Sequence, residues 1–218
     1  MRPLQRQGER IRLPAIDYIA NRGLLMSKLL GNLNLALALG VVLLLVAMFG
    51  LNGEMMGDNY LTAWLRFFHV LVGIVWIGLL YYFNLVQIPT MPKVPAELKG
   101  GVSKYIAPRA LFWFRWSALA TVVIGMLVAE SQQGGYMGRA LSLSDGYRTI
   151  GIGIWLGLIM AANVWFVIWP NQKRALGIVP AEDDVKARSA STAMMGSRIN
   201  FILSVPMLYC MVAQAHIG

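Results

Sequence analysis

The chain has 218 residues, 57% of them apolar and only 13% charged, with a mean hydropathy of +0.59. A soluble domain runs nearer half apolar and a quarter charged, so the length allows about one domain and the composition places it in a membrane. The net charge of +9 sits in polar segments between apolar blocks, the distribution of a membrane protein's loops and not of a nucleic-acid-binding surface.

The first 28 residues form a basic segment with Arg2, Arg6, Arg10, Arg12, Arg22 and Lys28. The apolar run behind them has full spanning length, unlike the short core of a signal peptide. Residues 11–30 mix arginine with apolar side chains. Either a helix lying on the membrane surface or a frayed lead into the first span fits them.

Spanning a bilayer takes about 20 apolar residues at 1.5 Å rise each. Blocks at 29–51, 61–88, 110–129, 149–169 and 199–217 qualify. Inside lipid the backbone must satisfy its own hydrogen bonds, and the alternating pattern of a barrel is absent, so the blocks read as helices. The expected fold is all-α: an integral membrane bundle of five transmembrane helices over residues 29–218, behind the segment 1–28. Pro89, Pro92 and Pro95 are expected to end the second span, Pro170 the fourth, and Pro206 to kink the fifth.

Basic residues set the expected direction. Besides the leading segment, Lys93, Lys99, Lys104 and Arg109 lie between spans two and three. Lys173, Arg174, Lys186, Arg188 and Arg198 lie between spans four and five, whereas the opposite loops hold Arg139 and Arg148. This bias predicts a cytoplasmic amino terminus, a periplasmic carboxyl terminus and a multi-pass protein of a bacterial inner membrane. Tyr60 and Trp64 mark the outer edge of span two; Tyr81, Tyr82, Trp165 and Trp169 mark the inner boundary.

Ionisable groups inside a span are costly and point to function. His69 lies in span two, roughly 8 Å below its outer edge by helical rise. Gly73 and Trp76 follow at i+4 and i+7, on the same stripe. A neutral imidazole ligates iron, and a glycine one turn away leaves room for a flat macrocycle, so the stripe suits b-type haem. The same residues equally suit a histidine bonded to a neighbouring helix across a tight glycine contact. His216 and Met211 in span five are the candidates for an opposite axial ligand, with His69 and His216 the candidate metal-binding pair. Arg66, one turn above His69, is placed to meet a haem propionate or to reach the interface.

Arg115, flanked by Trp113 and Trp116, either snorkels or meets an anion such as a lipid phosphate. Asn84, Gln87, Asn163, Asn171 and Gln172 lie at similar depth and form either a polar vestibule or an interhelical network. No carboxylate lies well inside a span, which argues against a proton-coupled pump. No His or carboxylate pair has the spacing of a di-iron or zinc helix site. The single Cys210 permits no internal disulfide, and there is no CxxCH motif. Gly153 and Gly157 form a GxxxG pair that reads as helix packing.

Three segments carry a resemblance. The stretch from His69 through Trp76 and Gly78 to Tyr81-Tyr82-Phe83-Asn84 resembles the membrane domain of the bacterial urate hydroxylase family, the urate oxidase N-terminal family. So do Ala110-Leu-Phe-Trp-Phe-Arg115-Trp116 and the run Asn163-Val-Trp165-Phe-Val-Ile-Trp169-Pro170-Asn171-Gln172-Lys173. The likeness covers about residues 60–216. The shorter His-x6-Trp-x-Gly pattern is also similar to the histidine helix of CopD-like proteins and HemJ-type protoporphyrinogen oxidases. Full members of the urate hydroxylase family join this domain to a cytochrome c domain and oxidise urate through the respiratory chain; this chain is shorter and is expected to lack covalent haem.

The resemblance implies a membrane redox subunit with haem b at His69, partnered by lipid and by a cytochrome c or quinone-linked respiratory component. As an enzyme it would be an oxidoreductase of the urate hydroxylase type using an external cytochrome c. The alternative is a cofactor-free structural or assembly subunit of a larger membrane complex. Its sequence support is the small residues Ala118, Gly125, Gly151, Gly153, Gly157 and Ala161.

Overall fold

A computed structural model of the chain describes residues 27–28, 30–52, 60–132 and 134–216, with the side chains of 215 and 216 outside that description. The described residues are helical, without strands, and include five helices long and apolar enough to cross a membrane. The basic segment 1–28 lies almost entirely outside the described residues, as does its surface-helix expectation. The chain divides into two compact units, Met1–Gly57 and Asp58–Gly218.

In the first unit α1 spans Leu33–Asn52. Asn32 caps it, its Oδ1 accepting from the backbone N–H of Asn34 at 3.0 Å and of Leu35 at 3.4 Å. Large apolar side chains cover every side of this helix, as lipid-facing surface requires.

The second unit holds the long helices α2 (Tyr60–Lys93), α3 (Ala96–Ser131), α5 (Arg148–Ala175) and α6 (Asp183–His216), with the short α4 (Met137–Leu141) before α5. Helices α2 and α3 form an antiparallel hairpin, pinned where Thr62 Oγ1 donates to the Ser131 carbonyl at 3.0 Å. A second hairpin, α5 and α6, is closed where the Ile150 N–H donates to Gln214 Oε1 at 3.1 Å. The two hairpins share one core. Trp76, Leu80 and Phe83 of α2 meet Leu111, Phe114 and Ala118 of α3, with Met160, Val164, Ile168 and Met207 from the second hairpin.

The helices outrun their apolar blocks. Helix α2 continues through Pro89 and Pro92, and α5 through Pro170, so these prolines do not end their spans as expected. Each of three prolines is preceded by a π-helical segment that ends two residues earlier: Tyr82–Gln87 before Pro89, Val102–Ile106 before Pro108, and Val164–Ile168 before Pro170. A proline supplies no N–H and its ring collides with the carbonyl four residues back. The widened turn carries that carbonyl aside. The next amides then reach five residues back, Ile88 to Phe83, Ala107 to Val102 and Trp169 to Val164. The strand-like break comes only at Val94, whose ψ of 129° is the extended conformation favoured before Pro95. Helix α5 ends at Ala175 and the chain turns at Gly177, at φ 70°, where the amides of Gly177 and Ile178 fold back onto the carbonyls of Arg174 and Lys173.

A buried amide belt ties the hairpins together. Asn163 Nδ2 donates to the Gly196 carbonyl and to Asn200 Oδ1, both at 2.8 Å. Asn200 Nδ2 donates to the Met160 carbonyl at 3.0 Å. From the first hairpin, Asn84 Nδ2 donates to Ser197 Oγ at 2.9 Å. Of the polar set expected to form a vestibule or a network, Asn84 and Asn163 therefore belong to a network. Asn200→Ala should lower stability by about 1–2 kcal/mol, because the carbonyl and the amide it serves are left in an apolar interior. Thermal unfolding in detergent, followed by circular dichroism, checks this against Asn171→Ala, whose amide bonds only its own helix at Val167 and whose loss should be near neutral.

Candidate functional site

His69, Gly73 and Trp76 share one face of α2, and that face packs on α3. The imidazole Nδ1 lies 2.9 Å from the Thr121 carbonyl oxygen. A carbonyl only accepts, so Nδ1 carries the proton and donates. Nε2 then keeps its lone pair. The ring lies against Gly125, where an added Cβ would come within 2.8 Å of Cε1. Gly125 is thus part of the histidine seat. The sequence displayed the signal: Thr121 and Gly125 on α3 repeat the i, i+4 spacing of His69 and Gly73 on α2. Gly73 faces Thr121, whose methyl lies 3.9 Å from the position of a Cβ. Trp76, only 1% exposed, is the centre of the shared core.

The other candidates lie elsewhere. Met211 packs beside Gly153 in the α5–α6 contact, whereas His69 belongs to the α2–α3 contact. His216 is the last described residue of α6, and its side chain lies outside the description. No group of three or more His, Cys, Asp or Glu side chains could hold a metal ion among the described residues. Arg66 is exposed and acts on Tyr136, in the α3–α4 connection. Burial raises the pKa of the Tyr136 hydroxyl above its ordinary value, while the positive Arg66 works against that rise. Tyr136 stacks on Tyr147 at 5.8 Å, and the Arg139 guanidinium covers Tyr147 at 4.5 Å.

At the opposite end of the bundle, the end bearing Lys93 and Lys99, a cleft of about 580 Å³ opens among α2, α3, α5 and α6. Its walls are mostly apolar, including Phe83, Leu111 and Phe114, and its polar groups are Gln87, Lys99, Ser103, Gln172 and Ser197. Gln87 Oε1 and Asn84 Oδ1 are buried and have no partner. So the remaining vestibule candidates divide: Gln87 and Gln172 line this cleft, Asn171 turns back on its own helix, and Arg115 lies over Trp169.

Residues 136–217 match the family described as urate oxidase N-terminal. That segment is similar to the family. No curated protein and no solved structure matches the chain. The urate oxidase N-terminal segment takes in α4, α5 and α6, and with them the Asn163–Asn200 bond, Gln172, Ser197 and Met211. His69, Thr121 and Gly125 precede it, so the match does not reach the histidine seat.

The seat makes a sharp demand on Gly125. Gly125→Ala should push the imidazole off the Thr121 carbonyl and cost about 1–3 kcal/mol. Nitrogen-15 NMR of labelled histidine should show the Nδ1-protonated tautomer in the parent and its loss in the variant. Gly157→Ala, where an added Cβ meets nothing within 4 Å, should leave both signal and stability unchanged.

Proposed function

We propose that the chain is a urate-related redox subunit of a bacterial inner membrane, holding a b-type haem through His69 and passing electrons to a cytochrome c or quinone-linked partner. The observation that carries this reading is the bond from Nδ1 to the Thr121 carbonyl. Histidines that bind metal commonly donate their other ring N–H to a backbone carbonyl, which fixes the tautomer and turns Nε2 toward the metal. Support for the group rests on this one ligand, since Gly73 and Trp76 pack against Thr121 and the core. When bound, haem supplies one-electron transfer. The chain's own part is to hold Nδ1 protonated, to keep Nε2 unprotonated and to seat the ring on Gly125. A difference spectrum of purified protein, dithionite-reduced minus air-oxidised, should show haem b bands that vanish in His69→Ala and persist in Gly157→Ala. Parent protein purified without a Soret band ends the reading.

A second reading is supported by the same face. Thr121 and the core take up the surface of Gly73 and Trp76 that a macrocycle would use, as in a cofactor-free structural subunit. That reading expects no chromophore and co-purification with a larger membrane assembly.

The family's description names urate, and the cleft offers chemistry suited to such an anion. Lys99 supplies a positive charge, the Gln172 amide and Ser103 hydroxyl supply hydrogen bonds, and the unpartnered Gln87 Oε1 accepts from a ring N–H. Membranes containing the protein should oxidise urate when an external cytochrome c is supplied, and Gln87→Leu should cut the rate about tenfold or more, as an unmet hydrogen bond predicts. Equal urate loss in membranes with and without the protein would reject this activity and leave the haem spectrum to be judged separately.

A further inference from the structure

Arg115 lies well inside α3, in a stretch where α3 bears carboxylates only at Glu97 and Glu130, near its two ends, and where α5 bears none. The ion pairs among the described residues involve Asp145, Asp183 and Asp184, and Arg115 is in none of them. Its guanidinium instead covers the Trp169 ring of α5 at 3.9 Å and the Phe112 ring at 5.4 Å. Lys173, one turn beyond Trp169, brings its ammonium within 5.7 Å of the same ring. Two cations thus share one indole, and neither is in an ion pair among the described residues.

The surround is a lipid-facing seam. Trp116 meets Trp165 edge to face at 5.3 Å, closing the seam between the helices. Phe112, Trp113 and Trp116 are 42%, 51% and 46% exposed. Aromatic rings with exposed faces concentrate at the level of the lipid headgroups and glycerol backbone. A cation at that depth is attracted to ring faces, and that attraction leaves its charge uncompensated. Like charges on one ring repel, and a single anion between them turns the repulsion into two attractions.

We propose that the seam formed by Phe112, Arg115 and Trp116 of α3 with Trp165, Trp169 and Lys173 of α5 is a binding site for an anionic glycerophospholipid. The phosphodiester sits between Arg115 and Lys173, and the acyl chains run along the exposed aromatic faces. The site requires neither haem nor urate, so it stands or falls apart from the functional reading above.

Native mass spectrometry in mild detergent, with equal phosphatidylglycerol and phosphatidylcholine added, tests it. The parent should retain the anionic lipid about tenfold over the zwitterionic one, given roughly a tenfold contribution from paired cations near a lipid phosphate. Arg115→Gln/Lys173→Gln should bring the ratio close to one. Lys104→Gln/Arg174→Gln removes the same charge from exposed positions at the same end and should leave the ratio intact. Lys173→Gln alone, near the end of α5, should lower the ratio severalfold and keeps the test alive if the double variant fails to fold. Excess inorganic phosphate should not displace the lipid. Equal retention of both lipids by the parent, the same loss in the control pair, or displacement by inorganic phosphate would each overturn the site.

Discussion

Lipid leaves the polar atoms inside this bundle only one another as partners, and that pressure shapes the second unit more than any single contact, although Trp76 Nε1, Asn84 Oδ1, Gln87 Oε1 and Trp165 Nε1 are buried without one. Lipid offers no hydrogen bonds, so an orphaned amide at this depth carries its full desolvation cost. The belt from Asn84 through Ser197, and from Asn163 through Asn200 to the Met160 carbonyl, answers that cost with side chains drawn from both hairpins. Gly196 is part of the answer. A Cβ there would come within 3.0 Å of Ile168 and 3.1 Å of Asn163 Oδ1, so only a bare backbone lets the Asn163 amide approach the Gly196 carbonyl. The same demand explains the π-helical turns. Each proline deletes one donor, and the turn before it rearranges the acceptors rather than breaking the helix.

The belt also separates two environments. On one side His69 sits in the contact between α2 and α3. On the other, the cleft opens beside Gln87, whose Oε1 the belt leaves unmet. His69 and Gln87 stand on the same helix on the order of 25 Å apart at helical rise. A ligand in the cleft therefore lies far beyond contact with a group bound at His69. A urate-type reaction that used both would need an electron carrier between them.

Hydrophobic length and helical spacing were enough to read the five spans and the common face of His69, Gly73 and Trp76 from sequence. The helix ends were not legible, because proline is read as a terminator when only propensity is weighed. At Pro89 and Pro170 the deleted donor is accommodated by a widened turn, and no residue type signals that choice. Val94, extended before Pro95, shows the same residue type ending a helix when no such turn precedes it. Hydropathy starts span five at 199, whereas α6 starts at Asp183; its first four turns are mostly polar and escape a hydropathy criterion. The i, i+4 spacing of Thr121 and Gly125 stands in the sequence, but it does not say that Gly125 meets His69. Its role depends on which helix lies against His69, a tertiary fact that periodicity within one helix does not contain. The partner ring of Arg115 on α5 likewise follows from the pairing of helices.

The family match and the histidine seat rest on different helices, and this fixes how much each supports the other. Residues 136–217 contain the α5–α6 hairpin, most of the amide belt and part of the cleft wall. They do not contain His69, Thr121 or Gly125. A property conferred by that hairpin alone would have to use the cleft, the Tyr136–Tyr147 stack or the α5 side of the aromatic seam. The haem reading draws instead on α2 and α3, where its support is one donated proton and one glycine contact. The two halves are joined through Asn84 to Ser197 and Tyr81 to Ser204, so each hairpin depends on the other for its buried polar groups. That mutual dependence makes the histidine seat part of the same folded unit as the urate oxidase N-terminal segment, even though the match itself begins beyond it.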